Sequence, residues 1–138
     1  MPEESTTPDL VELGRQAVEA TNHGDIDPLV GLYAPDAVYL TEGLGRFEGR
    51  AAIRSFIEDF RGSFDNFVFE VEEILDLGNG VVYARQVLTG RLLGGGGDVS
   101  MTSGWVVTFV DGLIVRSASY KDPDEGRAAA ERLAVERG

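Results

Sequence analysis

The chain has 138 residues, no cysteine, and 24 acidic against 12 basic residues, for a formal charge of −12. That length suits one domain with a core of its own. The acidity argues against nucleic acid and anionic membrane, which both need a basic face. Without cysteine there is neither a disulfide framework nor a thiolate zinc site. No apolar run approaches the roughly 20 residues of a membrane helix. The opening MPEESTTPDL is acidic and lacks the apolar stretch of a secretion signal. The expectation is a cytoplasmic protein with a flexible tail over residues 1–6.

Thr7-Pro8 starts the first helix, with threonine as N-cap and proline at the first helical position. Leu10, Leu13, Gly14, Ala17, Val18 and Thr21 share one face. Gly24 ends it in a left-handed cap. Asp27-Pro28 starts a short second helix, Pro28 to Tyr33, and Ala37 to Thr41 is a short strand. Residues Glu42 to Glu48 read as a polar loop. A third helix begins at Gly49-Arg50, with Ile53, Phe56, Ile57 and Phe60 as its apolar stripe.

Four long strands follow: Phe67 to Leu77, Val81 to Leu93, Val99 to Val110, and Leu113 to Lys121. Gly78-Asn79-Gly80, the glycine run Gly94 to Gly97, and Asp111-Gly112 are the turns. Asp122-Pro123 is another cap-plus-proline start, so residues 123–138 form a C-terminal helix or tail. Helices first and an antiparallel meander after them make an α+β domain with helices on one face of a curved sheet.

The segments Ala20 to Asp27 (ATNHGDID), Leu32 to Tyr39 (LYAPDAVY), Gly45 to Phe56 (GRFEGRAAIRSF) and Phe109 to Asp122 (FVDGLIVRSASYKD) carry a resemblance. The chain resembles the nuclear transport factor 2-like superfamily, in its SnoaL-like polyketide-cyclase and ketosteroid-isomerase branch, over about residues 9 to 121. The resemblance implies a single SnoaL-like domain over 1–138. Its fold would be a cone-shaped half-barrel, a curved antiparallel sheet with three N-terminal helices on the concave face. It also implies an apolar small-molecule pocket and a homodimer through the outer sheet face, where Val106, Thr108 and Val110 would lie. Members include isomerases, cyclases, dehydratases, epoxide hydrolases and non-catalytic binding modules.

The isomerase chemistry of that superfamily uses an Asp base and a Tyr and Asp oxyanion hole. Those positions fall here on Thr41, Ala17 and Trp105, none of which can do the same work. Glu42, beside Thr41, is the substitute base. Arg85 could be the middle member of an epoxide-hydrolase trio, but Gln86, Val87 and Thr89 around it supply no acid. Asp122 stands near where cyclase-type members carry an acid–base Asp, and it also reads as a helix cap. The candidate catalytic set is therefore Arg85, Glu42 and Asp122.

Period-two alternation predicts the pocket lining. Met101, Ser103 and Trp105 share a face, matched by Tyr83, Arg85 and Val87 on the preceding strand and by Ser117 on the following one. Ala17, Tyr33, Tyr39, Thr41 and Phe56 line it from the other elements. Arg85 would orient a carboxylate, enolate or phenolate. Its alternative is an ion pair with Glu73, Glu70 or Glu42, or an outward position if the alternation is off by one. His23 is the only histidine, so no metal site is expected, nor a cofactor. Two functions stay open. One is an isomerase, cyclase or hydratase acting without cofactor on an oxygenated apolar substrate; the other is a non-catalytic ligand-binding or dimerisation module.

Overall fold

The structure, a computed structural model, describes residues 9–138. The predicted cap at Thr7-Pro8 and the tail over residues 1–6 lie outside the described residues. Helix α1 runs Leu10–His23, with Asp9 as N-cap accepting from the Glu12 backbone N–H. It stops at Gly24, whose φ of 74° is the left-handed conformation that glycine adopts without strain. Helix α2 is Ile26–Gly31. It starts earlier than predicted because Asp25 takes the N-cap position and leaves Pro28 in the first turn, where its missing N–H is no loss. Tyr33 consequently belongs to strand β1, Tyr33–Thr41.

Strand β2, Gly45–Glu48, occupies the predicted loop and pairs with β1, Tyr39 opposite Phe47. Four residues with a single apolar side chain hold too little alternation to announce a strand. Helix α3 is Arg50–Gly62. Strands β3 (Phe64–Gly78), β4 (Val81–Leu92), β5 (Gly97–Val110) and β6 (Leu113–Tyr120) form the meander. Helix α4, Pro123–Arg137, follows. The sheet order is β2-β1-β6-β5-β4-β3, antiparallel throughout except for the β1–β6 pair. It is curved and does not close. No helix among the described residues is long and apolar enough to cross a membrane.

The sheet has a core on each face. On one face, Ala17 of α1, Leu29 of α2 and Ile53 and Ile57 of α3 pack with Val82, Ala84, Trp105, Val107, Phe109 and Ile114. On the outer side, Ala130 and Ala134 of α4 pack with Val81, Tyr83, Val106 and Ala118. Helix and sheet meet almost backbone to backbone there. A Cβ on Gly104 would stand 3.0 Å from Pro123 Cα, and one on Gly126 would stand 3.3 Å from Gly104 Cα.

This corrects the expected dimer surface. Val106 and Thr108 are buried, Val106 under the chain's own C-terminal helix, and only Val110, 43% exposed, remains open. It also corrects the alternation of β4. Leu92 pairs with Gly97, so the turn between them holds the four residues 93–96, and Ala84, not Tyr83 or Arg85, stands opposite Trp105. An even-numbered turn sets odd positions of one strand against even positions of the next. Tyr83, Arg85 and Val87 therefore point outward, while Ala84, Gln86 and Leu88 share the face of Trp105.

Candidate functional site

Helices α1 and α3 pack on the Trp105 face of the sheet without filling the space between. An inner chamber of about 100 Å³ is lined by Ala17 and Thr21 of α1, Tyr33 and Tyr39 of β1, Phe56, Phe60 and Arg61 of α3, and Phe69, Gln86 and Trp105 of the meander. An outer chamber of about 530 Å³ adds Glu42, Met101, Ser103 and Lys121. Thr41, Leu44, Phe60, Phe69 and Ser119 border both. The outer chamber is within the size range of small-molecule sites, and the inner one is roughly large enough for a single ring.

One wall is aromatic. Tyr39 and Phe56 have ring centroids 5.2 Å apart, Phe56 and Phe60 5.9 Å, and Phe47 backs Phe56 at 4.3 Å. Behind the lining residues Tyr33 and Trp105 lies a buried polar relay. Trp105 Nε1 donates to Ser117 Oγ at 3.2 Å, and Tyr33 Oη shares a hydrogen bond with the same Oγ at 3.1 Å. Burial, reinforced by Tyr39, pushes the Tyr33 hydroxyl far above the usual tyrosine range. Burial pushes Tyr39 up to about 12. Both phenols are therefore neutral hydrogen-bonding groups at physiological pH.

Two further polar side chains reach the inner chamber. Gln86 is 6% exposed, and its Oε1 is buried with no hydrogen-bond partner. Arg61 donates from Nη2 to the Asn22 carbonyl at 3.0 Å and lies over the Phe67 ring at 5.6 Å, but its buried Nε has no acceptor. Asn22 in turn is clamped to strand β3. Its Oδ1 accepts from Phe69 N and its Nδ2 donates to Phe69 O. The end of α1, the end of α3 and β3 are thus fixed together at this rim.

Of the predicted lining, Ala17, Tyr33, Tyr39, Thr41, Phe56 and Trp105 border the inner chamber and Met101 and Ser103 the outer one, whereas Ser117 borders neither and is fully buried behind Tyr33 and Trp105. Tyr83, Arg85 and Val87 do not. Tyr83 donates to the Pro123 carbonyl at 2.9 Å. Arg85 bonds Glu72 at 3.1 Å and reaches Asp124 at 4.0 Å, which ties α4 to the outer face. Asp122 borders neither chamber and caps α4, accepting from Asp124 N at 2.9 Å. Glu42 stands exposed at the outer chamber, its Oε1 accepting from Lys121 N at 2.6 Å. The three catalytic candidates are not brought together.

Gln86 and Arg61 escaped the sequence reading for different reasons. Gln86 is one step from Arg85, and a one-residue error in alternation exchanges them. Arg61 does continue the α3 stripe, four residues after Ile57, but a charge at a helix end reads as solvated. Among the described residues, no three His, Asp or Glu side chains gather as metal ligands would.

The comparisons with known proteins agree with this architecture. A family model described as the SnoaL-like domain matches residues 15–117. No functionally curated protein matches the chain. A candidate polyketide cyclase of Sinorhizobium meliloti is 28% identical, over 82% of this chain and 94% of that one, with a TM-score of 0.68. Another, from Xanthomonas campestris, is 25% identical over 86% and 94%, with a TM-score of 0.69. A hypothetical protein of Catenulispora acidiphila with a ketosteroid isomerase-like fold, in complex with trimethylamine, is 18% identical over 83% and 86%, with a TM-score of 0.72. With most of its length matched by the family model and the cone fold shared, the chain belongs to the SnoaL-like family of the nuclear transport factor 2-like superfamily.

Proposed function

We propose that this protein takes up a small, largely apolar, oxygenated molecule in the cavity between the helices and the sheet. The inner chamber serves binding rather than turnover. The observation that carries this is the chemistry of its wall: aromatic rings, hydroxyls, one amide and one guanidinium, with no carboxylate and no histidine. Proton transfer beside a carbonyl needs a group that is a base near neutral pH, and none of these is one. Hydroxyls and an amide inside an apolar wall are what fixes the orientation of a bound carbonyl or hydroxyl compound.

Calorimetric titration with a panel of aromatic ketones, phenols and steroids tests the reading. Saturable binding by at least one class is expected, and no binding by any would sink it. A second reading has one observation behind it, the position of Glu42 on the outer chamber. On that reading the protein is an isomerase, cyclase or hydratase working without cofactor, with Glu42 as base. Its mark would be turnover that Glu42→Gln abolishes while binding persists. The proposed assembly is a homodimer through the strip of outer sheet face that α4 leaves open, around Val68 and Thr89. Sedimentation velocity at micromolar concentration checks it, and a monomer would remove it.

A further inference from the structure

Arg61 stands out among the polar groups of the inner chamber. A guanidinium offers five N–H donors and a full positive charge. Arg61 spends one nitrogen on the Asn22 carbonyl and lays its face on Phe67, yet its Nε is enclosed without an acceptor. A carbonyl oxygen satisfies a donor but does not neutralise a charge. The chain has 24 acidic residues, and Arg46, Arg54, Arg85, Arg91 and Arg127 each have a carboxylate within 4.0 Å. Among the described residues Arg61 has none, nor have Arg15, Arg50, Arg116, Arg132 and Arg137, but of these six only Arg61 lines the inner chamber. An uncompensated cation, partly withdrawn from water in an aromatic cavity, favours an anion arriving from outside.

Gln86 supplies an independent observation. Its amide is more than nine-tenths buried on the cavity wall, and its Oε1 is unpartnered. A buried polar atom without a partner is costly. A bound molecule with a hydroxyl or N–H group would relieve that cost, since the amide can present either end.

We infer that the ligand of this cavity is a small aromatic acid, its carboxylate or phenolate drawn to Arg61 and a second polar group to Gln86. This rests on the binding reading above and narrows it from oxygenated molecules in general to anionic ones. The apolar body of the acid lies among Phe56, Phe60 and Trp105.

The test uses the whole protein and two single-ring probes of nearly equal shape, benzoate and benzamide, titrated by calorimetry near neutral pH. The chain has one tryptophan, so its single indole N–H resonance in a ¹⁵N spectrum reports on binding beside Trp105. The carboxylate is expected to bind about ten-fold more tightly than the amide, as hydrogen bonds to a charged group generally allow. Both probes should move the indole resonance.

Equal or tighter binding of the amide overturns the inference and leaves the binding reading standing. Binding of neither overturns the inference, and the binding reading falls with it only if the panel of ketones, phenols and steroids also fails to bind. Preference for the carboxylate without movement of the indole signal places the anion elsewhere and also overturns it. In Arg61→Gln, the roughly ten-fold preference for the carboxylate should disappear, the carboxylate losing more affinity than the amide. A dispersed ¹⁵N spectrum shows that the variant is folded. A carboxylate preference that survives Arg61→Gln rejects the assignment.

Discussion

Asn22 and Phe69 hold each other through both polar ends of one side chain. The Asn22 amide accepts from Phe69 N at 2.7 Å and donates to Phe69 O at 2.8 Å. Two residues 47 positions apart are locked as neighbouring strands would be, so the end of α1 substitutes for a missing strand at the free edge of β3. Because Arg61 donates to the Asn22 carbonyl, the same joint sets the cavity guanidinium.

Asn22→Ala should therefore cost about 2 kcal/mol, two hydrogen bonds at roughly 1 kcal/mol each. Urea denaturation measures it. A loss below about 0.5 kcal/mol would mean that water replaces both bonds freely.

Gln86→Leu has the opposite sign. It removes a buried amide oxygen that has no partner and leaves a side chain of similar volume on an apolar wall. Stability should rise by about 1 kcal/mol in the ligand-free protein. A thermal melt that shifts downward would show that the amide is satisfied in solution.

Arg85→Ala should leave ligand binding unchanged. The side chain is 40% exposed and pairs with Glu72 and Asp124 across the outer face. Pairs of that exposure contribute about 1 kcal/mol or less. Titration of any ligand that binds the wild type is the check, and a several-fold loss of affinity would put Arg85 back among the site residues.

Stability should fall at high pH. Tyr39 ionises at about 12 when folded against 10.0 for an ordinary tyrosine. The folded state thus holds this proton more tightly than the unfolded chain. Its contribution is fully present below the unfolded value and is lost as the pH climbs from that value through the folded one. Tyr33 acts in the same direction. Urea midpoints at about pH 9 and about pH 11 should differ less in Tyr39→Phe than in the wild type. Identical differences would show that this hydroxyl is not responsible.

Much of this molecule is legible in its sequence, and the losses have specific causes. The α3 stripe, the turn glycines and the Asp122-Pro123 start mark their elements because each is a local signal. The lining residues Tyr33, Tyr39, Phe56 and Trp105 follow from period and position. Arg85 failed because the facing of β4 depends on how many residues the Leu93–Gly96 turn consumes, and a run of glycines does not say. The outer face failed for a different reason. Residues 123–138 read as a C-terminal helix or tail with no docking surface named, and what docks the helix is a close backbone approach at Gly104 and Gly126 that no periodicity records. Arg61 and Gln86 needed the third dimension, because an unpartnered atom is defined by what does not surround it.

Strand β4 belongs to two cores at once. Its even positions Gln86 and Leu88 border the cavity, and its odd positions Val81, Tyr83 and Arg85 carry the C-terminal helix. Ligand preference and scaffold integrity are therefore written on alternate letters of one short segment. A library randomised at 86 and 88 alone would explore new specificities while leaving the outer framework in place, whereas a single-residue insertion in the Leu93–Gly96 turn would set the two functions against each other.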